Sequence, residues 1–283
     1  MQLSKRGTVI TMRDDGVSAS WRRWIMLASD IHYDSIKCDI KLLDKHLKKA
    51  DEREAVVLIA GDLFDSMQSR DDPRRNMEEL KEKYAVSHYL DALVLDVSEY
   101  LGQFKNVHYI LALGNHETSI LKKLGTNLID RVASTIRISG GHAINAGYYG
   151  WLNMLFTHNG SHRESKKLFW HHGSGGNAPV TKGVIQTSRQ AEYIDADIIL
   201  NGHNHRSYYV PLKRLRISSS GRQICDMMHF IRTPGYKISG LENGDSFGFD
   251  VERIPGVTPR GCAFVEFTDG AGKIEMRVQL EQE

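Results

Sequence analysis

Five short apolar runs in this chain each end in side chains that can bind a metal ion. Runs of four to eight apolar residues bounded by polar turns are typical of buried β-strands, and here they alternate with helical patterns such as 40–50. The chain is therefore predicted to form an α/β architecture with strands covered on at least one face. The polar residues after the runs are Asp30 with His32, Asp62, Asn115 with His116, His171 with His172, and His203 with His205.

In α/β sheets, ligand sites lie outside the carboxyl ends of the strands, which is where these polar residues are predicted to fall. Residues two apart in a strand point to the same face, so Asp30 and His32 could bind one ion together. His203 and His205 have the same spacing, although either pair could instead continue into a turn. Gly114, before Asn115, allows the backbone to turn sharply where its strand ends.

The donor types narrow the choice of metal. All are carboxylates, imidazoles or an amide, and this mixture suits Mn, Fe, Zn, Ni or Co better than a structural zinc built from cysteines. Two carboxylates, one amide and four of the histidines supply enough donors for two ions. Two neighbouring ions can clamp an in-line phosphoryl displacement and generate a hydroxide nucleophile, so phosphoester hydrolysis is the predicted chemistry.

The ordered set D-x-H, G-D, G-N-H-E, a lone H before a turn, and G-H-x-H resembles the motifs of the calcineurin-like metallophosphoesterases. The match runs from residue 30 to residue 205. The resemblance implies a four-layer sandwich in which two β-sheets pack together and are flanked by helices. It also implies two divalent metal ions at one edge, with Mn as the first choice and Fe, Zn, Ni, Co or Mg as alternatives.

The same resemblance assigns roles by position. His116 would not bind metal but would stabilise the developing charge or protonate the leaving oxygen. Asp65 and Glu117 match positions that support the ligands. One metal would be held by Asp30, His32 and His205, and the other by Asn115, His171 and His203, with Asp62 bridging both.

Three histidines compete for the fourth motif. His171 is the preferred ligand because residues 167–170 supply a strand before it and Gly173 follows in the H-x-G form of the family. His158 stands in a similar setting and is the rival. His172 is expected to line the pocket or to contact phosphate.

Length and composition predict one soluble domain. The chain has 283 residues, 41% hydrophobic and 25% charged, which is ordinary for a globular protein. The domain is expected to span 1–283, with a motif-bearing core at 24–210 and a β-rich part at 211–283 that completes the sandwich. This β-rich part is equally compatible with a dimer edge, so the oligomeric state stays open. A long helix is predicted over 77–101, and 1–20 is predicted to be a loose arm or an edge strand.

No membrane span is expected, because no window approaches the 18 to 20 apolar residues that a span requires. No signal peptide is expected either. Three scattered cysteines without a CxxC spacing suit a reducing cytoplasm. A net charge of +2 is far below that of proteins that hold nucleic acid by overall charge.

The substrate is predicted from weaker features. Gly61 to Asp65 (GDLFD) resembles the nuclease branch of the family, and the Gly-rich loop after His172 resembles versions found in phages and prophages. A phosphodiesterase acting on DNA, RNA or nucleotides is the leading hypothesis, followed by a phosphomonoesterase and then by an inactive metal-binding scaffold. Two basic clusters could meet a phosphate backbone, although solvated loop charge is the simpler explanation for both: Arg70, Arg74 and Arg75, and Lys213, Arg214 and Arg216.

Overall fold

The secondary structure is given by a computed structural model, which describes residues 1–66, 79–158, 162–175, 184–218, 220–246, 251 and 257–283. The strands are β1 (Gln2–Arg6), β2 (Val9–Val17), β3 (Arg22–Ala28), β4 (Val56–Ile59), β5 (His108–Leu111), β6 (His142–Asn145), β7 (Tyr149–His158), β8 (Arg163–His171), β9 (Ile198–Asn201), β10 (Tyr208–Ile217), β11 (Gln223–Arg232), β12 (Gly261–Asp269) and β13 (Ile274–Gln282). The helices are α1 (Ile40–Glu52), α2 (Tyr89–Gly102), α3 (Asn115–Leu124), α4 (Leu128–Ile138), α5 (Val184–Tyr193) and α6 (Gly240–Asn243).

The strands form two sheets. A six-stranded sheet has the order β13-β12-β3-β4-β5-β6, in which β3 to β6 run parallel and β12 pairs antiparallel with β3. A seven-stranded sheet has the order β1-β2-β7-β8-β9-β11-β10, with β9 parallel to both β8 and β11. Because β3, β4 and β5 are parallel, as are β8 and β9, their carboxyl ends gather at one edge of each sheet.

The apolar run at residues 25–28 of strand β3 is explained by burial on both faces. Ile25 and Leu27 point into the core between the two sheets, whereas Met26 and Ala28 point towards the helices on the other side. A strand buried on both faces needs apolar residues at every position, because neither set of side chains meets water.

Helices cover the outer face of each sheet. Leu43 of α1, Leu93 of α2 and Val132 of α4 belong to the core on the outer side of the six-stranded sheet. Ala191 of α5 packs against a smaller cluster that includes Ile199, on the outer side of the seven-stranded sheet. The result is four layers, and the predicted α/β sandwich is confirmed.

The chain departs from the sequence prediction at two elements. The predicted helix from residue 77 begins only at Tyr89, because Glu79 and Leu80 instead pair with the loop at Ser35 and Ile36. The N-terminal segment contains the predicted edge strand, β1, and also a second strand, β2, which forms a hairpin with β1 and pairs in parallel with β7.

The segment after residue 210 contributes to both sheets. Strands β10 and β11 extend the seven-stranded sheet, and β12 and β13 extend the six-stranded sheet. Among the described residues, no helix has the length and apolar character that crossing a membrane requires.

Replacing Gly150 by alanine is expected to lower the free energy of unfolding by about 1–3 kcal/mol, as overpacked cores do. A Cβ at this position of β7 would lie 2.4 Å from Cζ2 of Trp170 and 2.8 Å from the Thr8 carbonyl oxygen. Gly102→Ala is the matched control, because no atom lies within 4 Å of a Cβ at that helical position. Denaturant unfolding of both variants measures the effect, and equal stability of the two would contradict this packing.

His46 of α1 gives a pH-dependent prediction. Burial lowers the pKa of His46 to about 4, and its Nδ1 lies 2.9 Å from the Tyr236 hydroxyl. The unfolded chain binds a proton near pH 6.5, so the stability that neutral His46 provides is complete above that pH and is lost as the pH falls towards 4.

Between pH 7 and pH 4.5, wild type should therefore lose about 2–3 kcal/mol more unfolding free energy than His46→Gln. Denaturant titrations of both proteins at the two pH values provide the measurement. Parallel losses in the two proteins would show that His46 does not titrate as its burial requires.

Candidate metal centre

The predicted ligands come together where the carboxyl ends of the two sheets meet. Asp30 and His32 follow β3, Asp62 follows β4, and Asn115 follows β5 in the six-stranded sheet. Across from them, the residues after β8 and β9 arrive from the seven-stranded sheet. None of the close-spaced pairs lies within a strand, because each strand ends before its first ligand.

The first group consists of Asp30, His32 and His205, whose ligand atoms lie within 4.8 Å of one another. The Nε2 atoms of His32 and His205 face each other at 3.3 Å, and His205 Nε2 lies 3.7 Å from Asp30 Oδ1. Two neutral imidazoles cannot both present lone pairs at this distance without repulsion, so the arrangement requires a shared proton or cation. A divalent ion fits this donor set.

The second group contains Asp62, Asn115, His172 and His203. His172 Nε2 lies 3.1 Å from both Asp62 Oδ2 and Asn115 Oδ1, and His203 Nδ1 lies 2.8 Å from the same amide oxygen. The other ring nitrogen of His172, Nδ1, lies 2.8 Å from the Ala60 carbonyl oxygen and donates to it. This hydrogen bond keeps a proton on Nδ1, so that Nε2 faces the group and could offer its lone pair to a metal ion.

At the fourth motif the structure differs from the sequence prediction, because His172, and not His171, lies in the second group. His171 Nδ1 accepts the Gly173 N–H at 3.0 Å, and its half-buried ring lies against Tyr148. Neighbouring residues of an extended strand point to opposite faces, so a shift by one residue removes the side chain from the site.

A signal for His172 was available in the sequence. Leu168 and Trp170 belong to the core between the sheets, whereas Phe169 faces the opposite side. Continuing the alternation by two residues from Trp170 places His172 on the inner face, where the site lies.

His158 lies at the other end of the β7–β8 hairpin. Thr157 pairs with Arg163, whereas Tyr149 pairs with His171. The eight positions between Arg163 and His171 along β8 correspond to roughly 27 Å. His158 therefore does not belong to the groups described above.

His116 adjoins both groups without being part of the ligand set that the resemblance implied. Its Nδ1 donates to the Asp65 carbonyl oxygen, which leaves Nε2 directed at the site, 3.7 Å from Asp62 Oδ2. Its backbone N–H donates to Asp62 Oδ1 at 3.1 Å. Burial lowers the pKa of His116, because the apolar surroundings disfavour the imidazolium.

Glu117 fixes the backbone beneath the site. Its two carboxylate oxygens accept the N–H groups of Asp62 (3.1 Å), Gly114 (2.8 Å) and Phe64 (3.0 Å). Burial and the Asp62 charge raise the pKa of Glu117 to about 7, and the backbone donors partly offset this rise. Glu117 thus joins the loop after β4 to the loop after β5.

Asp65 is held by groups that sequence reasoning missed. Burial alone would raise the pKa of Asp65, but the Lys237 ammonium, 3.3 Å from its Oδ2, keeps that pKa well below the usual range. The Asp65 N–H donates to Asp34, whose carboxylate also accepts the Ser66 N–H. Neither Asp34 nor Lys237 lies in the matched motifs, and no local pattern marks them.

The electrostatics of the second group favour a positive charge at His172. Burial alone would lower the pKa of His172, but the Asp62 carboxylate outweighs it and raises the pKa to about 10. Without an ion, Asp62 and His172 therefore share a proton at neutral pH. An ion at this position would displace that proton, as metal binding to histidine generally does.

A family model of the calcineurin-like phosphoesterases matches residues 23–207. No curated protein matches the chain. The solved structures that the chain matches include Vacuolar Protein Sorting 29 from Cryptosporidium parvum, with 14% identity, a TM-score of 0.36 and coverage of 93% of this chain and 100% of that one.

Two bacterial structures are similar to about the same degree. A metallophosphoesterase from Sphaerobacter thermophilus has 12% identity, a TM-score of 0.38 and coverage of 92% of this chain and 89% of that one. The calcineurin-like phosphoesterase YfkN from Bacillus subtilis has 14% identity, a TM-score of 0.35 and coverage of 92% and 90%. With identities this low, family membership rests on the family model.

His172→Ala is expected to reduce the number of tightly bound Mn²⁺ ions per chain, whereas His171→Ala should leave it unchanged. The two variants form a matched pair, because adjacent imidazoles are removed and only one of them faces Asn115 and Asp62. Equilibrium dialysis followed by elemental analysis measures the bound metal. Loss of metal from His171→Ala alone would restore the assignment made from the sequence.

Proposed function

We propose, since the chain belongs to the calcineurin-like phosphoesterase family, that it is a two-metal phosphodiesterase acting on nucleotides or nucleic acid. The family performs metal-dependent hydrolysis of phosphate esters. The observation that carries the finer proposal is the pair of ligand groups at the sheet edge, which together supply donors for two ions.

One ion would be held by Asp30, His32 and His205, and the other by Asn115, His172 and His203. Asp62 lies in the second group and is proposed to bridge to the first. Bound there, the ions would supply Lewis-acid stabilisation of the phosphoryl oxygens and activation of water, with Mn²⁺ the proposed metal. The His205 side chain is 34% exposed, so the first group opens to solvent, where a substrate can enter.

His116 is proposed as the proton donor. The Asp65 carbonyl oxygen holds its Nδ1 proton, so the ring cannot rotate away from the site. As an imidazolium, His116 would then present Nε2–H to the oxygen of the departing alcohol. A lowered pKa makes this imidazolium a stronger acid, which favours transfer to a leaving alkoxide.

The charges around the site favour a diester over a monoester. A phosphomonoester carries nearly two negative charges at neutral pH, and a diester carries one. Lys237 and Arg232 act on the pKa values of the ligand histidines, and both cations are engaged. Lys237 contacts Asp65 and Glu79 at 3.3 and 2.8 Å, and the buried Arg232 guanidinium lies over the Tyr208 ring. Neither is directed to a second phosphate charge.

The basic cluster at residues 213–216 contributes little to the proposed substrate class. Arg214 and Arg216 form ion pairs with Asp226 on the neighbouring strand, so their charge is largely neutralised. The cluster Arg70, Arg74 and Arg75 lies outside the described residues. Support for a nucleotide or nucleic-acid substrate therefore comes from the resemblance of Gly61 to Asp65 to the nuclease branch.

Hydrolysis of bis(p-nitrophenyl) phosphate should exceed that of p-nitrophenyl phosphate in Mn²⁺, and chelator should abolish both. Steady-state kinetics on the two substrates measures the ratio of kcat/KM values. A marked preference for the monoester would identify a phosphatase. Metal binding without cleavage of either ester would instead support the scaffold alternative.

His116→Ala is expected to lower kcat for the diester by about 10²- to 10⁴-fold, the usual contribution of a general acid. Bound Mn²⁺ should stay at the wild-type level, because His116 is proposed not to be a ligand. Kinetics and elemental analysis on the same preparation separate the two effects. A variant that had also lost its metal would show that His116 belongs to the ligand set.

A further inference from the structure

We propose a second metal site, for zinc, far from the metal centre, formed by His158, His162 and Glu164 and called here the distal cluster. One ligand atom from each of these residues lies within 4.8 Å of the others. His158 closes β7, Glu164 is the second residue of β8, and His162 lies between them.

The strongest evidence is the state of His158. The residue is 8% exposed, and its Nε2 atom is buried without a hydrogen-bond partner in the described structure. Buried polar atoms are nearly always partnered, and leaving one without a partner destabilises the fold. A cation between His158 and its two neighbours would give this nitrogen the partner that it lacks.

The surroundings of the distal cluster support such a cation. Asp269 Oδ1, at the end of β12, lies 3.7 Å from His158 Nδ1. A carboxylate on this side of the ring could orient a ligating histidine. Glu164 Oε2 accepts the Ile274 N–H at 2.7 Å, while Oε1 contacts Lys166 Nζ at 2.8 Å. An ion would therefore compete with the Lys166 ammonium for Glu164.

The types of donor in the distal cluster indicate which metal ion would bind there. Two imidazoles and a carboxylate without a thiolate suit Zn²⁺, which accepts nitrogen and oxygen ligands in tetrahedral sites. Three protein donors leave a fourth position for water.

The position of the distal cluster indicates what such an ion would do. His158 and Glu164 belong to the seven-stranded sheet, whereas Asp269 and Ile274 flank the β12–β13 turn of the six-stranded sheet. The His158 N–H also donates to the His162 carbonyl oxygen at 2.9 Å. Zinc bound here would fix the end of β7 to the start of β8, beside the six-stranded sheet and roughly 27 Å along β8 from the metal centre.

His162→Ala tests the proposal, because His162 is exposed and its removal leaves the buried groups in place. His88→Ala, which removes another exposed histidine on a different part of the surface, is the matched control. Each protein is stripped with chelator and dialysed against Zn²⁺. Bound zinc is then measured by elemental analysis, and Tm is recorded with and without Zn²⁺.

We expect His162→Ala to bind about one zinc ion fewer per chain than wild type. At a hundredfold excess of Zn²⁺ over Kd, the rise in Tm on adding zinc should be smaller by about 5 °C. His88→Ala should match wild type in both measurements, and diester hydrolysis should be unchanged in both variants, because neither residue lies in the metal centre.

Equal zinc content and an equal rise in Tm in wild type and His162→Ala would overturn the distal cluster. All proteins should share one Tm in chelator, which shows that the substitution itself leaves the fold intact. Should alanine alter that Tm, His162→Gln supplies the same comparison with a side chain of closer size.

Discussion

The backbone conformation at the strand ends is the constraint on which the rest of the structure depends. Asp30, His32, Asp62, His203 and His205 all have φ between 50° and 76°, a region that side chains other than glycine rarely adopt. Each such residue costs about 1–3 kcal/mol and persists only where its surroundings hold it. The loop after β3 is held because the Asp62 carbonyl oxygen accepts the N–H groups of both Ile31 and His32, at 2.8 and 3.1 Å.

This strained backbone explains why glycines and a buried glutamate surround the ligands. A Cβ on Gly114 would lie 2.0 Å from Asp62 Oδ1, and one on Gly202 would lie 2.6 Å from Asp30 Oδ2, so only glycine allows the loops to approach this closely. Glu117 then joins two loops through three backbone N–H groups. Burial of both sheet faces stabilises the fold, and this stabilisation offsets the strain of the loops that bring the donor atoms together.

Much of this arrangement was predictable from the sequence. Apolar runs locate strands buried on both faces, and parallel strands bring residues after their carboxyl ends together; Asp30, Asp62 and Asn115 were placed on that basis. The ligand predicted for the fourth motif differs from the one that the structure brings to the site. Two adjacent histidines lie at the end of one strand, and the choice between them depends on which face Trp170 occupies. Lys237 and Asp34 could not have been found, because they reach Asp65 through tertiary contacts between segments far apart in the chain.

We propose that strand ends from two different sheets build one centre for two ions. Anomalous X-ray diffraction from crystals soaked in Mn²⁺ would locate the bound ions. We expect two peaks about 3.5–4 Å apart, one against Asp30, His32 and His205 and the other against Asn115, His172 and His203. A single peak at full occupancy of Mn²⁺, or a peak bound by His171, would contradict it.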